Sequence, residues 1–328
     1  MVQKQLNFES EIVNMSFVTI LNESAEHPVI ILKDSITGAE AEIYSFGALL
    51  NAFRVPVKQE LQNVVAGFES VADAKLNITN GFKSAKLCPF VCRMNKGSYR
   101  FIDTPYQVQK HFLADHAIHG LIYDGVYRVA RREEFVTYAS VTLIYEYKGE
   151  DPGYPFKFET SVTWKLEEGN RLSVTTSITN QNLAPIPMAD GWHPYFSLGG
   201  SVDDWTLQFS KSKQFVYDAG LIPTGEKIED SRFLNGSLLA GVQLDNGFEW
   251  ENPKEKNQCI ISSPFLKLLI EPAASYPVLQ VYTPPHRKSI AIENLSGAPD
   301  NFNNGIGLSI LSPGETHTFE TSYLVTVL

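Results

Sequence analysis

Leu172-Ser173-Val174-Thr175-Thr176-Ser177-Ile178 sets the fold class of this chain. Its apolar and polar residues alternate, and side chains on an extended chain alternate across it with a period of two. The pattern therefore predicts a strand with one apolar face. Working outward, Phe158-Glu159-Thr160-Ser161-Val162-Thr163-Trp164 and Val141-Thr142-Leu143-Ile144-Tyr145-Glu146-Tyr147 are rich in β-branched and aromatic residues, as strands are. Phe17-Val18-Thr19-Ile20, Val29-Ile30-Ile31-Leu32, Ala41-Glu42-Ile43-Tyr44-Ser45-Phe46, Tyr99-Arg100-Phe101-Ile102, Leu266-Lys267-Leu268-Leu269-Ile270 and Val278-Leu279-Gln280-Val281-Tyr282 continue the series. Glu168-Gly169-Asn170 and Pro313-Gly314-Glu315 are turn signals between runs. Helical periodicity is scarce, and its best short candidate is Ser70-Val71-Ala72-Asp73-Ala74-Lys75-Leu76. Regular strand–helix alternation is missing, which argues against a doubly wound parallel sheet. The expectation is an all-β protein, a large and mostly antiparallel sandwich. Residues 1–15 read as a loose polar extension and 16–328 as one domain.

Composition bounds the function. With 328 residues the chain can bury a large core. A formal net charge of −10 argues against a general nucleic-acid binder and against an anionic membrane surface. It suits a neutral partner. Cys88, Cys92 and Cys259 give no disulfide framework and read as buried free thiols. No run reaches the roughly 18 apolar residues of a membrane span, and the start lacks a secretory h-region. A cytoplasmic location is the default expectation.

Chemistry-bearing residues are few. His193 lies in Ala189-Asp190-Gly191-Trp192-His193-Pro194-Tyr195-Phe196, a titratable ring among aromatics that suit a sugar's C–H surface. It reads as a core or turn histidine, or as an acid–base group. Glu293 follows Ser289-Ile290-Ala291-Ile292 and reads as a solvated strand terminus, or as a general base in a cleft. Asp245-Asn246-Gly247 has the composition of a hairpin turn. Asp190 can bond a local amide, and Arg93 can form a surface ion pair or a fixed fork on hydroxyls. His111, His116 and His119 hint at a metal site, but neither a helical Glu-x-x-His nor a cysteine pair supports one. Gly120 permits close approach beside His119, which makes His119 the better cleft candidate. The nucleophile-elbow, P-loop and dinucleotide fingerprints are all missing.

Several segments resemble the aldose 1-epimerase, or galactose mutarotase-like, family in the family's own order. They are Tyr44-Ser45-Phe46-Gly47-Ala48, Pro89-Phe90 with Arg93, Lys96-Gly97-Ser98-Tyr99, His119-Gly120 and Tyr154-Pro155-Phe156. Asn180 and Pro187 then lead to Gly191-Trp192-His193-Pro194-Tyr195-Phe196, followed by Asp245 with Phe248, Ile290-Ala291-Ile292-Glu293 and Pro313-Gly314-Glu315. The resemblance spans roughly residues 28 to 325. It implies a galactose mutarotase-like supersandwich, His193 as general acid and Glu293 as general base. Arg93, His119 and Asp245 match substrate-binding positions, and Asp190, beside the acid motif, is grouped with them as a substrate-binding residue and as an acidic neighbour that can keep His193 protonated. No metal or organic cofactor is implied. The partner is a small sugar, and oligomeric state is left open.

Three positions depart from the family's usual pattern: Cys92 for Asn, Tyr127 for Trp, and Asn294 for Pro. The related hexose-6-phosphate mutarotases usually carry Arg after His-Gly, where this chain has Leu121-Ile122-Tyr123. The function implied is anomer interconversion of a free aldose by ring opening and reclosure. A phosphosugar or modified-sugar epimerase and a non-catalytic carbohydrate-binding protein are the alternatives, since fold does not dictate function.

Overall fold

A computed structural model describes residues 16–22 and 27–328; the expected extension at 1–15 lies outside the described residues. Strands dominate, and the described α-helices are Val71–Asn77 and Asn301–Asn304. Ser70 caps the first of these, its hydroxyl accepting from the Asp73 amide at 3.1 Å, as the sequence pattern anticipates.

The alternation at residues 172–178 is realised in a nine-stranded antiparallel sheet. Its strands run in the order Arg128–Glu134, Tyr138–Tyr147, Phe158–Glu167, Arg171–Asn180, Thr316–Val327, Leu266–Pro272, Cys259–Ser262, Thr206–Phe209 and Ser237–Leu238. In Arg171–Asn180, Leu172, Val174, Thr176, Ile178 and Asn180 are buried and the residues between them are not. Phe158–Glu167 shows the same period. One face of this sheet meets the core, and the other stays polar.

The facing layer is an eight-stranded sheet. Its path is Pro223–Asp230, Ser212–Tyr217, Asp245–Trp250, Val278–Tyr282, Ile290–Leu295, Gly191–His193 and Ala85–Leu87, with Tyr195–Phe196 also paired to Ile290–Leu295. Side chains from both layers interlock. Trp164 meets Trp192 edge-on with ring centroids 5.3 Å apart, and Phe196 meets Tyr323 at 5.4 Å. The Asn294 amide donates to Thr321 Oγ1 across the same gap at 2.8 Å. A five-stranded sheet of Phe17–Asn22, Val29–Asp34, Glu40–Tyr44, Leu50–Val57 and Glu60–Asn63 adds a further layer. Its second strand packs on Tyr138–Tyr147 and Phe158–Glu167. No described helix is long and apolar enough to cross a membrane.

The eight-stranded sheet differs from its partner in one respect that matters for the site. Ile290–Leu295 is buried at every position, so both of its faces are covered. One cover is the nine-stranded sheet. Over the other face, Arg93, Leu113 and Ile118, from the small sheet of Arg93–Met94, Phe112–Leu113 and His116–Ile118, line one cleft together with Glu293.

Trp164 joins the layers through its contact with Trp192, the neighbour of His193, and its indole N–H donates to the Ala48 carbonyl at 2.9 Å. Trp164→Ala is expected to lower the unfolding free energy by about 3–5 kcal/mol through the cavity it leaves. Urea unfolding followed by circular dichroism checks this, and a loss under about 1 kcal/mol would contradict the interlayer role.

Candidate active site

Strand register builds the site. The pairing of Gly191 with Leu295 and of Tyr195 with Ala291 puts His193, midway between, level with Glu293. Pro194 interrupts the strand between the two pairs, because it has no amide to donate. Gln280 pairs with Glu293, and Gly247 with Gln280. His193, Glu293, Gln280 and Gly247 thus form one row across four strands. Tyr195, Ala291, Tyr282 and Asp245 form the next row on the same face. Asn294 points the other way, into the core, as a period of two demands.

These rows floor a cleft of about 320 Å³, at the small end of ligand sites. Arg93, His119, His193, Asp245 and Glu293 all line it. His193 Nε2 lies 3.3 Å from Glu293 Oε1. The His119 ring stands perpendicular to that of His193 with centroids 4.8 Å apart, and Tyr195 stacks on His193 at 5.1 Å. The Gln280 amide donates to Asp245 Oδ1 at 2.9 Å, and the Tyr217 hydroxyl donates to Gln280 Oε1 at 3.1 Å.

Two glycines are required by close approach. A Cβ on Gly120 would lie 2.3 Å from the Cys88 carbonyl oxygen, so it is backbone that crowds this residue and seats His119. A Cβ on Gly247 would lie 2.2 Å from the Tyr217 hydroxyl. Asp245-Asn246-Gly247 is therefore no hairpin turn; it begins the strand Asp245–Trp250, and Gly247 leaves room for Tyr217. Glu293 is likewise no solvated terminus, being 2% exposed in mid-strand.

Burial governs the charges. It pushes the His193 imidazole down to about 4 and the Glu293 carboxyl well above its ordinary range. Asp245 raises Glu293 further, while the Arg93 guanidinium opposes both effects. Burial thus favours the neutral forms of both groups, imidazole and carboxylic acid. His119 is also held neutral, by burial first and then by His193 and Arg93. Among the described residues, His119, His193 and Glu293 bring potential metal-ligand atoms within 4.8 Å of one another. A cation held there would share the cleft with Arg93.

Asp190 is a correction. It lies three residues before His193, so alternation turns it to the opposite face. There it is fully buried, with Oδ1 2.5 Å and Oδ2 2.6 Å from Lys86 Nζ, and it accepts from the Tyr276 hydroxyl at 2.7 Å. Lys86 also sits 4.4 Å from the Trp192 ring centroid. Asp190 neither lines the cleft nor keeps His193 charged; it anchors the strand that carries His193.

The aldose 1-epimerase family model matches residues 28–324. The chain belongs to that family. It is 28% identical over 239 residues to the uncharacterized protein YihR of Escherichia coli K12, covering 70% of this chain and 75% of that one. Among solved structures it is similar to a galactose mutarotase-like protein from Clostridium acetobutylicum, with TM-score 0.81 and 19% identity over 96% of this chain and 99% of that one. A galactose 1-epimerase from Lactobacillus acidophilus gives TM-score 0.80 at 17% identity, over 95% and 99% of the two chains. Such distant structures establish the shared galactose mutarotase-like fold.

Of the three departures from the family's usual residues, Cys92 alone lines the cleft; Tyr127 and Asn294 are core residues. The Cys92 thiol points to Glu293 Oε2 at 3.9 Å. All three cysteines are free and buried, as expected. Sequence reading missed Tyr217, Gln280 and Tyr282. Gln280 carried a usable signal, a polar residue between Leu279 and Val281 in a strand.

Two outcomes follow for stability. Lys86→Met strands the buried Asp190 carboxylate and is expected to cost about 3–5 kcal/mol, with Lys86→Met/Asp190→Leu recovering most of it. Denaturant unfolding checks this, and equal loss in both variants would contradict it. For Glu293 the sign follows from its raised value: the unfolded chain ionises first, so stability drains away as pH rises above about 4.5. Glu293→Gln removes that drain. Its melting temperature relative to the parent should rise between pH 5 and pH 8, and a pH-independent difference would contradict the raised value.

Proposed function

We propose that this family member is a mutarotase, interconverting the α and β anomers of a neutral free aldose by opening and reclosing its ring. The observation that carries this reading is the 3.3 Å approach of His193 Nε2 to Glu293 Oε1 on the floor of a small polar cleft. Ring opening takes a proton from the anomeric hydroxyl and places one on the ring oxygen. It needs a base and an acid side by side.

Glu293 as carboxylate accepts the anomeric proton while protonated His193 donates to the ring oxygen. The C1–O5 bond breaks as the aldehyde forms. Glu293 is then a carboxylic acid and His193 a neutral imidazole, the proton distribution that burial favours in this cleft. The neutral pair therefore suits the open-chain intermediate. Rotation about C1–C2 presents the other face of the aldehyde. O5 attacks, His193 takes back its proton, and Glu293 returns its own to O1.

The closed ring calls for the charged pair instead. Bound hydroxyls replace lost water around both groups, and Arg93 favours the carboxylate. Together they draw the proton from Glu293 to His193 as substrate binds. Asp245, steadied by Gln280, accepts from sugar hydroxyls. Arg93 is the one permanent cation lining the cleft among the described residues, and Asp245 and Glu293 offset it. That balance favours a neutral sugar over a phosphorylated one.

Polarimetry or NMR on freshly dissolved α-anomers of several aldoses tests the reading. Glu293→Gln and His193→Asn are each expected to lose about 10²–10⁴-fold in kcat/KM with their folds intact. The parent's kcat/KM should hold from neutral pH down to about 4, then fall as His193 gains a second proton for the pair. Full activity in Glu293→Gln would remove the assignment. Sugar binding without faster anomer exchange would leave a carbohydrate-binding protein.

A further inference from the structure

Two strands of the small covering sheet bring two more donors to the acid–base pair. Cys92 precedes Arg93–Met94 and His119 follows His116–Ile118, and the His119 amide donates to the Cys92 carbonyl at 2.9 Å. Both residues line the cleft with His193 and Glu293. The Cys92 thiol lies 3.9 Å from Glu293 Oε2, and His119, His193 and Glu293 hold ligand atoms within 4.8 Å of one another. All four residues are buried. His119 Nδ1 is buried without a hydrogen-bond partner among the described residues, which in a folded protein calls for an explanation such as a bound ion. Cys92 and His119 also hold left-handed backbone, with φ of 47° and 62°. Residues other than glycine are strained there, and such strain clusters at ligand clamps and active sites.

These four donors suit one class of ion. Two imidazoles, a carboxylate and a thiolate form the mixed nitrogen, oxygen and sulfur set of a borderline divalent cation, whereas Mg²⁺ and Ca²⁺ take oxygen ligands. Nitrogen and oxygen ligands about 2.0–2.2 Å from a tetrahedral Zn²⁺ stand about 3.3–3.6 Å apart. The 3.3 Å between His193 Nε2 and Glu293 Oε1 already meets that spacing. A zinc-bound thiolate stands slightly farther off, since Zn–S is about 2.3 Å. The Cys92 sulfur is 3.9 Å from the same carboxylate. Glu293 and Cys92, both deprotonated on the metal, balance its double charge. The family's usual Asn lacks the sulfur donor that this chain has at Cys92.

We propose that Cys92, His119, His193 and Glu293 form a closed tetrahedral Zn²⁺ site that shuts off anomer exchange. Four protein donors leave no open position for a water or a sugar oxygen, so the ion blocks the cleft and does no chemistry of its own. It occupies the lone pairs of His193 and Glu293 that proton exchange requires, and sugar and ion therefore exclude one another. The inhibition rests on the mutarotase reading; the ion site stands on its own geometry.

The probe is Co²⁺, which takes the same tetrahedral geometry as Zn²⁺ and is coloured. The full-length protein, freed of metal with EDTA, is titrated with Co²⁺ and then Zn²⁺. A single equivalent of Co²⁺ is expected to give the intense visible bands of tetrahedral cobalt and a thiolate charge-transfer band in the near ultraviolet, and Zn²⁺ to abolish both. Cys92→Asn and Cys92→Ser should lose the charge-transfer band and bind Zn²⁺ at least about tenfold more weakly. In polarimetry, Zn²⁺ should raise the parent's apparent KM for an aldose with kcat unchanged, and EDTA should restore it. Both variants should match the parent without metal and need at least about tenfold more Zn²⁺ for the same inhibition. Weak octahedral cobalt bands, or a charge-transfer band that survives both substitutions, would overturn the inference and leave the mutarotase reading intact. So would equal zinc sensitivity in the parent and both variants. If no aldose is accelerated, the mutarotase reading fails and the cobalt spectra of parent and variants decide the ion site by themselves.

Discussion

The site depends on one cross-strand register, the pairing of the interrupted segment 191–196 with Ile290–Leu295. It places His193 opposite Glu293 although a hundred residues separate them in sequence. A slip of one residue would turn Glu293 into the core and bring Ile292 or Asn294 to the cleft. Several contacts oppose such a slip. Asn294 is tied to Thr321 on the facing sheet, Trp192 is packed on Trp164, and Asp190 is locked to Lys86 on the neighbouring strand. The core side of these strands thus specifies what the cleft side presents.

The two faces treat buried charge in different ways. On the core side, burial lowers Lys86 and raises Asp190, and each offsets the other, with Tyr276 donating to Asp190 as well. A pair arranged this way keeps its geometry. On the cleft side, His193 and Glu293 lack such support, and burial drives both toward neutrality. Their protonation is left responsive to whatever fills the cleft. The same cost of burying charge thus yields a structural anchor on one side of the sheet and, on the other, two titratable groups held toward their neutral forms.

Most of the architecture was legible because it rests on short-range regularities. Alternation in 172–178, 158–164 and 266–270 identified strands of the nine-stranded sheet, and Ser70 marked its helix. The site was legible in part. His193, Glu293, Arg93, His119 and Asp245 were singled out, and all five line one cleft. Asp190 is close to His193 in sequence, yet its odd spacing of three residues puts it on the opposite face, with Lys86. Asp245-Asn246-Gly247 was misread because a hairpin composition also fits a strand whose glycine accommodates a tyrosine from the next strand.

By itself the sequence determined the all-β class, the family and the residues able to exchange protons. Those follow from local periodicity, ordered motifs and side-chain chemistry. Only the tertiary structure decided that Glu293 is buried in mid-strand, that Asp190 belongs to Lys86, that Gln280 and Tyr217 steady Asp245, and that the Cys92 thiol points to Glu293. Each of these depends on strand register and on the facing of two sheets, and neither is encoded in any short stretch of chain.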